Sequence, residues 1–320
     1  MDSKEHYVYP MGKTVGIKLF SEGVLVIGLS EIRTDSGNAS PAKACGLQEG
    51  DIITHINSQE VNSIEAVQAV LQTLAGKEMS VRILRDKAQS QLTAQAVQCS
   101  SDGAYKLGAW IRDSMAGIGT MTFYDPESKI FGTLGHGIND IDTAMLMPLE
   151  SGSIMPSSVS DVKKGLTGQP GELHGTFQIE KDLGQLYANT PGGVFGLLTD
   201  DSMISNQQLV PIAKGSEVKT GKATILSNVT GVKVEEFEVE IIKLFPNAQD
   251  TRNLMLHVTD QRLLSATGGI VQGMSGSPIL QDGKLVGAVT HVLLNDPTRG
   301  YGIFAENMVN LAETAQEELG

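Results

Sequence analysis

The chain of 320 residues has only two cysteines, Cys45 and Cys99, and neither lies in a metal-binding or dithiol spacing. A disulfide-dense scaffold is excluded, at most one bridge is open to it, and no metal or cofactor is expected. Cys45, within Ala44-Cys45-Gly46-Leu47, reads as a small buried residue. Basic charge is also scarce. With 24 Lys and Arg against 37 Asp and Glu the net charge is −13, and no basic cluster offsets it. Such a balance argues against nucleic acid or an anionic membrane as the main partner. Long apolar runs are missing as well: Gly23–Leu29 is far too short to span a bilayer. Met1–Pro10 carries Asp2, Lys4, Glu5 and His6 and lacks the apolar core of a signal peptide. The chain therefore reads as soluble, any targeting segment of an exported parent having been removed.

What is present is ordinary globular material. Hydrophobic residues make up 40% and charged residues 19%, and the length suits about two domains. The 36 glycines and many short Val/Ile/Leu runs favour β structure with tight turns.

Residues from about 8 to 98 read as one module. Val15–Leu19 and Val24–Leu29 are expected as strands joined by a Ser21-Glu22-Gly23 turn. A short helical turn falls over Ser40–Leu47, with Pro41 near its start and Gly46 at its end. Ile52–Ile56 reads as a strand. Ile64, Val67, Val70, Leu71 and Leu74 repeat at helical spacing behind Ser63 as N-cap, and Met79–Leu84 alternates as a strand. Polar Cys99-Ser100-Ser101-Asp102-Gly103 marks the boundary, giving residues 1–98 and 99–320 as the two domains. Beyond it, short strands at close spacing, among them Gly117–Tyr124, Ile130–Leu134, Glu235–Leu244 and Leu285–Val292, suggest a sandwich or a pair of barrels. Glu306–Leu319 closes the chain as a helix.

Two glycine-framed motifs carry the chemistry. Gly273-Met274-Ser275-Gly276-Ser277-Pro278 offers a nucleophile in a tight turn, where backbone N–H groups of Gly273 and Ser275 can form an oxyanion hole. Ser275 is preferred over Ser277, whose backbone enters a strand before Pro278. Gly135-His136-Gly137 offers the general base, because an imidazole at the end of a strand can take the serine proton. His6, His55, His174, His257 and His291 read as tail, turn or half-buried strand residues. A third group should fix the tautomer of the base. Asp260, Asp140 and Asp142 are the candidates, and the residues alone do not separate them.

Ala44-Cys45-Gly46-Leu47-Gln48-Glu49-Gly50-Asp51-Ile52-Ile53-Thr54-His55-Ile56-Asn57 resembles a PDZ domain in the strand order of bacterial proteases. The resemblance implies a carboxylate-binding loop and strand at Gly12, Lys13, Thr14, Val15, Gly16 and Ile17. A peptide would add there as a strand beside the Ser63–Leu74 helix. Three further stretches, Ala116–Pro126, Phe131–Ile138 and Gly268–Pro278, with Gly287–Val292 and Asn295-Asp296-Pro297 following, closely resemble the stage IV sporulation protein B (SpoIVB) peptidases. That resemblance implies a mainly β chain, in which a PDZ-like α+β domain precedes a chymotrypsin-like double β-barrel with a C-terminal helix. It implies catalytic His136, Asp260 and Ser275, although Asp260 would sit in the second barrel rather than soon after the histidine. Pocket walls are expected from Gly269, Ile270, Thr290, His291 and Val292.

By the same resemblance the protein is a signalling protease of sporulation, exported from the forespore into the space between forespore and mother cell. Its expected partners are its own N-terminal segment, which it cleaves, and a membrane-bound regulator of an intramembrane metalloprotease that activates the late mother-cell sigma factor. A catalytically inactive PDZ adaptor on a peptidase scaffold is the alternative.

Overall fold

The computed structural model describes residues 5–204, 207–248 and 250–318. The chain forms two compact units. The smaller comprises Phe20–Met115 and Asn139–Ser151; the larger takes the residues up to Leu19, then Ala116–Ile138, then those from Gly152 onward. The smaller unit is thus flanked on both sides by sequence of the larger. Among the described residues no helix is long and apolar enough to cross a membrane.

In the smaller unit, Ile52–Ile56 pairs with Glu78–Arg85, which pairs in turn with Ala88–Gln95. Asp86 and Lys87 both have positive φ, the two-residue reversal that matches strand twist. Helix Ile64–Leu74 starts where Ser63 Oγ accepts the Ala66 N–H, and it buries Val67, Val70 and Leu71. Their partners include Val24, Ile53, Ile56, Val81 and Ile83. Asp51 is fully buried and is clamped by Arg85 at 2.6 and 2.7 Å. Both cysteines are free, and Cys45 is only partly buried whereas Cys99 is buried.

One expectation fails here. Thr14–Leu29 is a single strand of 16 residues, with no hairpin at Ser21-Glu22-Gly23. Ser21 is fully buried, and a Cβ on Gly23 would lie 2.7 Å from the Ile53 carbonyl. The chain passes close to its neighbour, at Gly23 with φ +79°, and the strand continues. The first half of this strand consequently belongs to the larger unit. The place beside the helix is taken by the start of Ala109–Tyr124. Ser30 N–H donates to Gly108 at 2.8 Å, Asp113 accepts from the Ile64 N–H at 2.9 Å, and the Gln72 amide bonds both backbone groups of Tyr105 at 3.1 Å.

In the larger unit, Tyr7–Pro10 lies between Val210–Pro211 and Ala109–Tyr124. The sheet runs on through Ile130–Thr133, Gly193–Leu198, Gly184–Thr190 and Ser151–Lys163. Six further strands form a closed barrel: Gly221–Thr230, Lys233–Leu244, Leu254–Val258, Asp296–Phe304, Lys284–Leu293 and Pro278–Gln281. Alternation makes the barrel core. In Lys233–Leu244, Phe237, Val239 and Ile241 face in while Glu236, Glu238 and Glu240 face out. Among the described residues this is the one barrel that closes, and with the larger sheet it makes up the expected mainly β fold. The C-terminal helix spans Ala305–Glu317 and buries Met308, Val309 and Ala312 against Phe123, Phe195 and Ile303. Leu319, where that helix was expected to end, lies outside the described residues, as do residues 1–4.

Candidate active site

All the residues that converge around the serine belong to the larger unit. Strand Ile130–Thr133 ends at Leu134 and Gly135, whose φ values of +68° and +67° reverse the chain in the left-handed region. Leu134 adopts that region at a steric cost that only surrounding contacts can offset. A side chain at Gly135 would approach Thr290 Cγ2 to 2.9 Å. The turn delivers His136, whose Nδ1 lies 2.8 Å from the Gly137 carbonyl. A carbonyl only accepts, so the proton resides on Nδ1 and Nε2 keeps its lone pair. Burial holds the His136 pKa below the ordinary histidine value, with the Gly137 contact opposing part of the shift. The ring is tilted against His291, centroid to centroid 5.4 Å.

The serine lies in a turn between helix Gln261–Thr267 and strand Pro278–Gln281. Gly273 and Gly276 have φ of +95° and +96°, and a Cβ at Gly276 would overlap the Thr120 carbonyl. Only glycine fits there. Ser275 Oγ donates to the Thr290 carbonyl at 3.0 Å. The serine hydroxyl and the histidine turn therefore meet at Thr290-His291. Among the described residues no hydrogen bond joins Ser275 directly to His136. Nor does any partner there take the Gly273 or Ser275 N–H, the two donors expected for an oxyanion. Ser277 is fully buried and bonds Ser227 at 3.3 Å, which removes it as a nucleophile.

The aspartates are engaged elsewhere. Asp260 caps helix Gln261–Thr267. Oδ1 accepts from Arg262 N at 2.9 Å and Arg262 Nε at 3.1 Å, and Oδ2 from Glu238 N at 3.2 Å and Arg262 Nη2 at 2.7 Å. Those four bonds fill a carboxylate. The Arg262 hydrogen bonds hold its pKa down to about 2. Asp260 thus does not meet His136 as expected. Asp140 and Asp142 belong to the smaller unit, where both bind Arg112. The orienting partner of His136 in this structure is a backbone carbonyl, which no sequence signal marks.

Of the expected pocket walls, Ile270 and Thr290 are buried, and Ile270 N–H bonds the Pro297 carbonyl at 2.8 Å. The residues expected as a peptide-binding loop lie in the larger unit. A Cβ on Gly12 would press on Leu226, Lys13 Nζ donates to the Met203 carbonyl at 2.6 Å, and Thr14 bonds Asn228 at 2.5 Å. Val15 and Ile17 are buried, and Gly16 packs on Phe177. These are interior packing positions, and strand continuity through residues 20–23 is why. Among the described residues no group of three or more His, Cys, Asp or Glu is placed to hold a metal ion.

Two family models match the chain. Residues 33–85 match a PDZ domain model. The PDZ domain of the SdrC-like protein from Listeria monocytogenes is 19% identical, with a TM-score of 0.23, over 28% of this chain and 87% of its own. The Rv3671c protease from M. tuberculosis in its active form is 13% identical, with a TM-score of 0.34, over 64% of this chain and 74% of its own. An inactive serine-to-alanine mutant of the same protease gives 13% and 0.36 over 63% and 83%. No curated protein matches the chain. Residues 103–309, almost two thirds of the chain, match the SpoIVB peptidase S55 model, and the chain belongs to that family of serine peptidases.

Proposed function

We propose that Ser275 and His136 form the catalytic pair of an endopeptidase. The observation that carries this reading is the turn Gly273–Ser277, which leaves the Gly273 and Ser275 N–H groups without partners beside a serine hydroxyl. Substrate binding would draw Ser275 Oγ from the Thr290 carbonyl to His136 Nε2. Oγ attacks the scissile carbonyl carbon as its proton passes to Nε2. The two N–H groups receive the resulting oxyanion, each such donor contributing about 3 kcal/mol to the barrier. His136 then protonates the departing amine, and water releases the acyl group by the reverse sequence. The Gly137 carbonyl keeps the proton on Nδ1 throughout. Reaction with a serine-directed fluorophosphonate tests the pair: labelling of Ser275 in wild type, lost in His136→Ala, is expected. An unlabelled, correctly folded wild-type protein would leave the inactive adaptor as the better reading.

The likeness to SpoIVB peptidases supports a finer role. In it the enzyme cleaves itself near its N-terminus. It also cleaves a membrane-bound regulator of an intramembrane metalloprotease, in the space between forespore and mother cell, as a sporulation signal. Incubating wild type and Ser275→Ala with the reconstituted regulator tests this, since cleavage must need Ser275.

The PDZ unit supplies a recognition groove in the same reading, formed by Ala109–Asp113 and helix Ile64–Leu74. In this reading a peptide adds as a strand along Ala109–Asp113. Trp110, the single tryptophan and 65% exposed, lies on this strand. Its emission should shift when a peptide docks, and an unresponsive Trp110 alongside calorimetric binding would place the groove elsewhere.

A further inference from the structure

We infer that Thr120 is the positioning residue that holds the oxyanion site and the histidine turn in one arrangement; this rests on Ser275 and His136 being the catalytic pair.

Every carbonyl of the nucleophile turn is held. The Gln272 carbonyl accepts from Leu173 N at 2.9 Å, and that of Met274 from Ser277 N at 2.9 Å. The Gly276 carbonyl accepts from Thr122 Oγ1 at 2.7 Å. The remaining two both go to one residue. Thr120 Oγ1 donates to the Gly273 carbonyl at 2.8 Å, and Thr120 N–H donates to the Ser275 carbonyl at 3.0 Å. A peptide unit is planar, so the two that Thr120 holds carry the Met274 and Gly276 N–H groups, which bond the Val271 carbonyl at 3.1 Å and the Val289 carbonyl at 2.7 Å. The peptide units on which Gly273 and Ser275 carry their free N–H groups alternate with the two that Thr120 holds.

Thr120 also reaches the other half of the site. Its carbonyl accepts the Leu134 N–H at 3.2 Å, at the left-handed residue two positions before His136. The residue is fully buried, so none of these bonds is shared with water. One threonine thus uses its hydroxyl, its N–H and its carbonyl to tie the serine turn to the histidine turn. Two of these contacts are backbone and survive any substitution that keeps the strand. The hydroxyl is the contact that depends on residue type. Without it the Gly273 carbonyl loses its donor, and that peptide unit keeps only the Met274 N–H bond to Val271 at 3.1 Å, next to a residue at φ +95° with no side chain to restrain it.

The test is steady-state hydrolysis of a short chromogenic peptide by Thr120→Val, Thr120→Ser and Tyr187→Phe, each corrected for the folded fraction from its melting curve. Loss of a positioning contact should act on the transition state alone, so kcat of Thr120→Val should fall by about 10- to 100-fold with KM within about twofold, somewhat less than removal of an oxyanion donor itself. Thr120→Ser should restore kcat to within about threefold, and fluorophosphonate labelling should fall in parallel with kcat. Tyr187→Phe removes a hydroxyl bond to the Ala312 carbonyl at 2.9 Å, outside both turns, and should melt lower while keeping most of kcat. An unchanged kcat in Thr120→Val, a rise in KM equal to the loss in kcat, or a Thr120→Ser as slow as Thr120→Val would overturn the inference. If Thr120→Val does not fold, the serine variant and Thr120→Ala carry the same comparison. Ser275→Ala separates the two levels: activity surviving in it sinks the catalytic assignment, whereas normal kinetics in Thr120→Val with a dead Ser275→Ala sinks the role of Thr120 alone.

Discussion

Two turns of the same barrel region, fifteen residues apart, hold their polar groups in opposite ways. At Gly273–Ser277 the carbonyls are bound and two N–H groups have no partner among the described residues. At Asp260 the carboxylate has every acceptor position filled, by Arg262 and Glu238. Both turns contain a residue type used in serine peptidases, yet only the first has hydrogen-bonding capacity left for a substrate. Capacity left open in a rigid frame distinguishes a reactive turn from a structural one. An engaged aspartate holds a helix in place; it has no position left to orient an imidazole.

The largest effect should come from Ser275→Ala and His136→Ala. Each should lower kcat/KM by about 10⁴-fold or more at unchanged melting temperature, and the double variant should be little worse, because the two act as a unit. A tenth of wild-type turnover in either single variant would refute the pairing. Asp260 sharpens the contrast. An orienting aspartate replaced by asparagine costs about 10⁴-fold in kcat, whereas a capping one loses little because asparagine caps almost as well. Asp260→Asn should therefore keep kcat within about threefold, and Asp260→Ala should destabilise by about 0.5–2 kcal/mol in urea melts. A collapse of kcat in Asp260→Asn would restore it to the catalytic set.

Acid should act through His136 next. The base must be neutral, and burial lowers its pKa, so the acid limb of kcat/KM should fall below the usual histidine value of about 6.5. A midpoint at or above that value would show the ring to be solvated. The same depressed pKa makes the fold resist protonation while the unfolded chain accepts it. Stability from His136 is thus complete above about pH 6.5 and declines as pH falls through the lower folded value. The smallest effect belongs to Asp260. Its folded pKa of about 2 lies under the unfolded value of about 3.9, so its stabilisation is present above about pH 4 and lost towards pH 2. Acid melts of wild type and Asp260→Asn should converge across that window.

The serine and histidine turns were legible because glycine is required for their geometry, so the requirement is written in the local sequence. Leu134 was not, since a leucine at φ +68° is set by its surroundings and carries no signal of its own. The Asp260 role could have been found: an aspartate just before Gln261-Arg262-Leu263-Leu264 is an N-cap pattern as much as a catalytic one. Ser21-Glu22-Gly23 has the composition of a turn, and the contact that decides otherwise is with Ile53, thirty residues further on. Strand Ser151–Lys163 contains Pro156, a residue type that weakens a strand pattern. Local chemistry, in short stretches, set what could be read; pairing between distant stretches set what could not.

The flanking of the smaller unit by sequence of the larger bears on the order in which the chain becomes competent during synthesis. Tyr7–Pro10 is made before either of its partners, since Tyr124 and Val210 follow more than a hundred and about two hundred residues later. The interposed segment Phe20–Met115, rich in local hairpin contacts, can begin to fold while that strand waits. Ser275 emerges later still, after both the interposed segment and the histidine turn, so neither of these is accompanied by the nucleophile when it is made.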